Sequence, residues 1–399
     1  MRVATIVRRI CAGCVPLVHA ARLAALVAVV EAVTISSRLS VTAMGRMIRS
    51  GARPKHSIKR ADRLLSNPHL QGERWLVFQS IAQRLIGNVA RPVILMDWTT
   101  VVEGFSALVA AVPIGGRALT IYEEVHPERR NNKPRVHARF LRSLKDILPA
   151  GCRPIVVVDA AFKAAFFREV QRLGWDFVGR QRQRVFLKPL GGLWTLTKAV
   201  FAAATHVPKD LGICTLNRAP QSSISVRLVI VSSPRRPNHP WRHRLPRGGS
   251  QRRKYRRAAH QPWLLPTSLQ DADPARIVAL YATRMQIEET FRDAKNPRFG
   301  WCLRHVRGYS ARRLTVLLMI AALAALVVTL LGLAAEQHGR QRAYQANTVR
   351  TRVLSHFVLG LALLRRLDPY PLGDVLASGA RHFRAVLRGL QPQAHPLVP

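Results

Sequence analysis

The chain has 399 residues, 63 of them Lys or Arg against 21 Asp or Glu, for a formal net charge of +42. Forty-eight per cent of it is hydrophobic, enough to bury a core, which excludes general disorder. So large a basic excess calls for a polyanionic partner, with nucleic acid the first candidate and an anionic membrane surface the second.

Residues 1–90 read as a helical region, expected to bind DNA ends. The stretch 1–24 opens with Arg2, Arg8 and Arg9 and then turns apolar, but Arg22 interrupts it and no small-residue cleavage site follows, so a signal peptide is not expected. Cys11-x-x-Cys14 has neither a second Cys pair nor a spaced His pair, which makes zinc a poor reading. The five cysteines (Cys11, Cys14, Cys152, Cys214 and Cys302) are too scattered for a disulfide framework, and their odd count points to a reducing, cytoplasmic compartment. Residues 15–33 are rich in Ala, Leu and Val. Residues 57–65 place apolar side chains at 58, 61, 64 and 65, a helical spacing that Asn67-Pro68 ends, and 77–86 reads as a further short helix.

From Pro92 the pattern turns to strands. The apolar run 93–96 ends in Asp97; 106–113 and 118–122 flank Gly115-Gly116 and predict a three-stranded meander with a Gly-Gly hairpin. A helix is expected over 136–147, a buried strand over 155–158 ending in Asp159, an amphipathic helix over 161–173 and a fifth strand from Asp176 to Gly179. The predicted order across residues 91–182 is β-β-β-α-β-α-β.

Residues 183–270 read as a β-rich basic insertion, with β-prone runs at 185–187 and 223–231. No acidic residue occurs between Asp210 and Asp271, and residues 235–257 carry ten Arg or Lys with Trp241 and Tyr255 among them. A solvated loop is the ordinary meaning of a charge run, but the length of this carboxylate-free stretch favours an arm that tracks phosphates.

Helical pattern returns over 271–340. Residues 314–335 form 22 positions without a charge, flanked by Arg312, Arg313 and Glu336. That is long enough to span a bilayer of about 30 Å. A buried central helix, tightly packed at Gly332 and Thr329, is the expected alternative, since no other such run exists in the chain. Residues 341–399 read as a basic helical region, with helices over 350–367 and 381–387 and a possible part in dimerisation.

Two carboxylates at the ends of buried strands are informative in a chain so poor in acid. Neighbouring strands would bring Asp97 and Asp159 to one point, where their repulsion is relieved by a divalent cation, and oxygen-only ligands suit Mg²⁺ or Mn²⁺. Either Asp alone could simply cap its following turn. A third element lies in Tyr281, Arg284, Glu288 and Lys295. On one continuous helix these four project within an arc of about 60°, along about 21 Å. Surface i,i+4 pairing would account for Arg284 with Glu288 but not for the whole row.

The spacing Tyr281-x2-Arg284-x3-Glu288-x6-Lys295 is similar to the YREK signature of the IS-4-type insertion-sequence transposases of the DDE class. Leu95-Met96-Asp97-Trp98-Thr99 resembles that family's first-Asp strand. Val157-Val158-Asp159-Ala160-Ala161-Phe162, followed by Leu173-Gly174-Trp175-Asp176-Phe177-Val178-Gly179-Arg180, resembles its second-Asp block. Pro262-Trp263-Leu264-Leu265-Pro266-Thr267-Ser268 resembles the strand leading out of the insertion. The likeness covers residues 57–335 and departs at Ala161, where the family usually has Gly.

The resemblance implies an α/β fold: an RNase H-like catalytic core interrupted by a β-rich insertion, with helical N- and C-terminal regions. It implies Asp97, Asp159 and Glu288 as catalytic carboxylates holding two Mg²⁺ (or Mn²⁺) ions for strand cleavage and transfer. Tyr281, Arg284 and Lys295 become phosphate contacts. Trp263 becomes a platform for a flipped base, with Trp194 and Trp241 as rivals and a buried core Trp as the plainer alternative. The implied partners are double-stranded DNA (terminal inverted repeats and target) and a second copy in a homodimer, with no membrane, at the nucleoid of a bacterial cytoplasm. A non-catalytic DNA-binding protein, such as a decayed transposase or repressor, is the competing reading.

Overall fold

The computed structural model describes residues 3–182, 185–232, 261–297, 300–303, 306, 310–366 and 374–391. The basic segment 235–257, with Trp241 and Tyr255, lies outside the described residues, as do the first and last parts of the regions read as 1–90 and 341–399. The chain divides into two compact units, Met1–Cys152 with Met285–Gln391, and Arg153–Arg284.

The first unit opens with helices α1 (Val3–Ile10), α2 (Ala20–Ser36), α3 (Val41–Met47), α4 (Pro54–Ser66) and α5 (Pro68–Ile86). Asn67-Pro68 does more than end a helix. The Asn67 side chain accepts from the Leu70 amide at 2.9 Å and Pro68 occupies the first helical turn, so α5 starts nine residues earlier than the predicted 77–86. Strands β1 (Val93–Val102), β2 (Phe105–Pro113) and β3 (Ala118–Pro127) then form the expected antiparallel meander. Its hairpin has φ of +87° at Gly115 and +92° at Gly116, and Ile114 donates to the Arg117 carbonyl at 2.9 Å. Two consecutive positive φ values define a type I′ turn, a geometry that side chains with a Cβ resist. Helix α6 (Pro134–Ile147) follows, burying Phe140, Leu141 and Leu144.

The second unit begins with β4 (Ile155–Val158), α7 (Ala164–Arg172) and β5 (Asp176–Val178), the last parallel to β4. The insertion is β-rich as expected: β6 (Phe186–Pro189), β7 (Thr195–Leu196), a short α8 (Thr197–Val200), β8 (Lys209–Leu216) and β9 (Ile224–Val231). Strand β10 (Trp263–Thr267) returns between β5 and β9, giving the order β4-β5-β10-β9-β8-β6-β7 within this unit. A buried guanidinium pins the insertion. Arg227 Nε and Nη2 donate to Asp210 Oδ2 at 2.9 and 2.7 Å, and Nη1 donates to the carbonyls of Leu269, Gln270 and Ala272 at 3.0, 2.8 and 2.7 Å. Helix α9 (Pro274–Ala282), capped by Asp273, closes the unit.

The chain re-enters the first unit as α10 (Met285–Lys295), α11 (Ala311–Gln337), α12 (His356–Arg366) and α13 (Val375–Gly389). Among the described residues, α11 is the single helix long and apolar enough by itself to cross a membrane. It is buried on nearly all sides, against β3, α2, α5, α12 and α13, as the core reading of residues 314–335 expects. Gly332 and Gly360 carry the closest approach of α11 to α12, each facing a carbonyl of the other helix (those of His356 and Val328), where a Cβ would collide.

The fold class is α/β. Three antiparallel strands, a helix, a strand, a helix and a strand follow one another before the β-rich insertion, the order of an RNase H-like core with helical flanks.

Candidate active site

Each sequence-predicted residue is best placed within its own unit. In the first, Asp97 stands not at the end of β1 but in its middle, paired with Val109 of β2. The β-prone run Trp98-Thr-Thr-Val-Val keeps the ladder going past the carboxylate, so the strand extends to Val102. Asp97 is half-buried, and its Oδ1 accepts from the Trp98 amide at 2.8 Å.

Strand alternation puts Thr99 on the same face as Asp97, and Trp98 on the opposite one. Thr99 meets the last turn of α10: Lys295 Nζ donates to Thr99 Oγ1 at 2.6 Å. On the other face, Trp98 Nε1 donates to His137 Nε2 at 3.1 Å and the indole lies edge-on to His126, with ring centroids 5.7 Å apart. Accepting at Nε2 requires a neutral His137 ring. Burial, with His126 beside it, lowers His137 to about 4. Further along this face, Glu124 accepts from Tyr122 at 2.7 Å and Arg139 at 2.8 Å, with His126 Nε2 3.1 Å away. Burial opposes ionisation of Glu124, but these neighbours outweigh it and hold the carboxyl at about 2. The strand bearing Asp97 is therefore braced from behind by a buried polar network.

Helix α10 is fastened along one side. Gln286 Oε1 accepts from the amides of Ile114 and Gly115, both at 3.1 Å. Thr290 Oγ1 accepts from the Ala118 amide at 2.9 Å, and Asp293 Oδ2 accepts from Arg117 Nε at 2.6 Å. Residues 286, 290 and 293 follow the i, i+4, i+7 spacing of one helical face, gripping the β2–β3 hairpin. Glu288 and Lys295, also seven apart, share a different face. Glu288 is half-buried.

In the second unit, Asp159 directly follows β4, as predicted, and its Oδ1 accepts from the Ala161 amide at 2.8 Å. That turn needs only an amide at position 161, so Ala serves where the resembled family has Gly. Tyr281, on α9, is 3% exposed and packs edge-on against the half-buried Trp263, with centroids 4.9 Å apart. The Arg284 guanidinium lies 6.0 Å from the Tyr281 ring. Burial raises the Tyr281 phenol; Arg284 and Arg180 pull it down, while Asp159 adds to the rise. Asp159, Arg180, Trp263, Tyr281 and Arg284 thus form one neighbourhood. Arg180 was not among the predicted site residues. The signal for it was its place two residues past the end of β5, in the block that also carries Asp159.

One expectation is corrected. Tyr281, Arg284, Glu288 and Lys295 do not ride on a single continuous helix, because α9 ends at Ala282 and α10 begins at Met285. The Thr283 hydroxyl bonds back to the Leu280 carbonyl at 2.6 Å, and the Thr283 and Arg284 amides bond three residues back rather than four. This tighter turn breaks the 100° advance on which the one-face projection rested. Tyr281 and Arg284 belong to one unit, Glu288 and Lys295 to the other.

The donor chemistry suits a hard divalent ion, since Asp97, Asp159 and Glu288 offer carboxylate oxygens at half-buried positions that water can reach. Among the described residues, no three His, Cys, Asp or Glu side chains form a ready-made metal cluster. Asp97 and Glu288 lie in the first unit and Asp159 in the second.

A search of curated proteins finds no match to the chain. Residues 90–327, more than half of it, match the family described as "Transposase DDE domain", a span that takes in Asp97, Asp159, Tyr281, Arg284, Glu288 and Lys295. With an RNase H-like order of elements and carboxylates on β1, after β4 and on α10, the chain belongs to the family of DDE-domain transposases.

Proposed function

We propose that the protein is an IS-4-type transposase that cuts and joins DNA at the ends of an insertion sequence, with Tyr281, Arg284, Glu288 and Lys295 as its YREK set. The observation that carries this reading is the family match itself, which spans all three carboxylates in order. Asp97, Asp159 and Glu288 would hold Mg²⁺ or Mn²⁺, as a pair of ions. When bound, such ions neutralise phosphate charge and acidify the attacking water or 3′-hydroxyl.

The chain's own residues do the rest. Lys295, held by Thr99 on the face of β1 that bears Asp97, offers an ammonium to a phosphate beside the carboxylate. Arg284, in the other unit, offers a guanidinium to a phosphate as well. Tyr281 is too buried to be a main DNA contact, and in this reading it orients Arg284 and Arg180. Trp263, half-buried at the start of β10, presents an indole on which an unstacked base can rest, a contact worth about 1–3 kcal/mol. The basic excess steers and holds the duplex, so binding falls steeply with salt. Two ends require two active sites, hence a homodimer in the complex that joins them, working at the nucleoid of a bacterial cytoplasm and not in a membrane.

The test is strand cleavage of a terminal-repeat duplex in Mg²⁺. Glu288→Ala should lose more than about 10²-fold in cleavage while retaining end binding. Cleavage at the wild-type rate would refute the site. A wild-type protein that binds the repeat but never cleaves it would instead be a non-catalytic DNA-binding protein.

A further inference from the structure

We propose that the tip of the β6–β7 hairpin is an apolar wedge, in which Leu190 and Leu193 enter between stacked bases of duplex DNA while Arg218 holds a flanking phosphate. The wedge presupposes DNA as the substrate, so it rests on the transposase reading above. Neither the carboxylates nor Trp263 takes part in it.

The tip, residues 189–194, is a fastened turn. The Gly192 amide donates to the Pro189 carbonyl at 3.0 Å, and Gly191, third residue of that turn, has φ of +72°. This is the type II pattern, which asks for glycine at that position. The Leu190 amide donates to the Ile213 carbonyl of β8 at 3.1 Å. Although its backbone is held, Leu190 is 86% exposed and Leu193 88%. Two leucines kept in water on an ordered turn forgo the burial that the rest of the fold gives its aliphatic side chains.

The surroundings of the tip choose its partner. The Arg218 guanidinium lies 3.8 Å from the centre of the Phe186 ring and 5.9 Å from that of Trp194, so two aromatic side chains hold its charge at the root of the tip. Arg218, Lys188 and Lys198 are all exposed. The single acidic residue between Asp176 and Asp271 is Asp210, and it already pairs with Arg227. A protein partner would call for a contiguous apolar patch of several hundred Å², which two leucines flanked by cations do not supply. A duplex offers the complement: a slot between apolar base faces, bordered by two rows of phosphates.

Strand register sets the tip at the same end of the sheet as Trp263. Trp263 pairs with Val231 where β10 begins, Ile230 with Lys209 where β8 begins, and Cys214 with Pro189 where β6 ends. Strands β9 and β8 lie between β10 and β6, so three strand spacings of about 4.8 Å, roughly 14 Å, separate the two. A wedge that opens one step and an indole that receives an unstacked base can thus work on the same few base pairs.

The full-length protein is titrated, in EDTA so that no strand is cut, into terminal-repeat duplexes carrying a fluorescent adenine analogue that brightens when unstacked, placed at one position after another. Binding is followed separately by the anisotropy of a dye at the far end. Wild type should raise the analogue's fluorescence severalfold at one base step. Leu190→Ser combined with Leu193→Ser, at positions too exposed to endanger folding, should return that signal to the level of free duplex. Affinity should stay within about tenfold of wild type, because the cost of unstacking disappears along with the contact. Arg218→Ala should lower the salt dependence of binding by about one phosphate contact. Binding with no rise at any position, or a rise that the leucine double variant keeps, would overturn the wedge and leave the transposase reading intact. A double variant that keeps the rise and sediments as a smaller species would assign the leucines to a contact between copies and likewise overturn it. Failure of the wild type to bind the repeat would overturn the transposase reading and the wedge with it.

Discussion

Lys295 Nζ and Thr99 Oγ1 lie 2.6 Å apart, tying the last turn of α10 to β1 two residues beyond Asp97. Asp97 and Thr99 share one strand face, so this bond sets where the only long cationic side chain of that turn besides Arg292 can place its charge. Thr99→Val keeps the side-chain shape and removes the acceptor. We expect strand cleavage to slow by about tenfold, the equivalent of one hydrogen bond to a charged group, with end binding nearly unchanged. Lys295→Ala should weaken end binding as well and lower the salt dependence of binding by about one phosphate contact. Cleavage kinetics and binding titrations over a range of salt concentrations separate the two effects.

The grip of α10 on the β2–β3 hairpin gives a stability prediction. Thr290 Oγ1 both accepts from the Ala118 amide and donates to its carbonyl, each at 2.9 Å. Thr290→Val leaves both half-buried backbone groups without that partner. The expected loss is about 1–2 kcal/mol in urea unfolding, with a parallel fall in cleavage because Glu288 rides on the same helix.

Glu123 makes unfolding depend on pH. Its carboxyl is 5% exposed, Oε1 has no hydrogen-bond partner, and burial, only partly opposed by Arg74, pushes it up to about 8 from 4.5. The folded chain therefore keeps a proton that the unfolded chain releases. This contribution is complete below about pH 4.5 and is lost as pH rises to 8. His137, lowered to about 4, acts in the opposite sense and in a more acidic window, losing its contribution as pH falls from 6.5. Glu123→Gln should remove the alkaline decline and be more stable than wild type at pH 9 by on the order of 2 kcal/mol. Equal slopes for the two proteins in denaturant titrations above pH 6.5 would refute this.

Arg227 is the staple of the insertion. Removing it strips Asp210 of its ion-pair partner and leaves the carbonyls of Leu269, Gln270 and Ala272 without that donor. Arg227→Ala should cost about 3–5 kcal/mol, and Arg227→Lys should recover little, because an ammonium cannot reproduce the fork. Hydrogen exchange should show the loss concentrated in β8, β9 and β10.

Much of this was legible without coordinates, for identifiable reasons. The runs at 93–96, 106–113 and 155–158 are apolar and β-branched, so local preference and burial agree. Gly115-Gly116 declares its turn because few other residue pairs accept two positive φ values. The 22 uncharged residues from 314 to 335 are long enough for a membrane span but are expected as a core helix, and their burial inside the fold agrees with that expectation.

Residue type and spacing by themselves established the charge and the order of strands and helices, and singled out Asp97, Asp159 and Glu288 as the candidate carboxylates. Those are properties of neighbouring residues, where periodicity and local chemistry dominate. Only the folded chain decided that Asp97 sits mid-strand, that the helix carrying Tyr281 breaks at Thr283, that Lys295 reaches Thr99, and that Arg180 joins Tyr281. Each of these depends on a hydrogen bond or a burial between residues that local preference cannot rank, because its strength is set by what the rest of the chain packs around it.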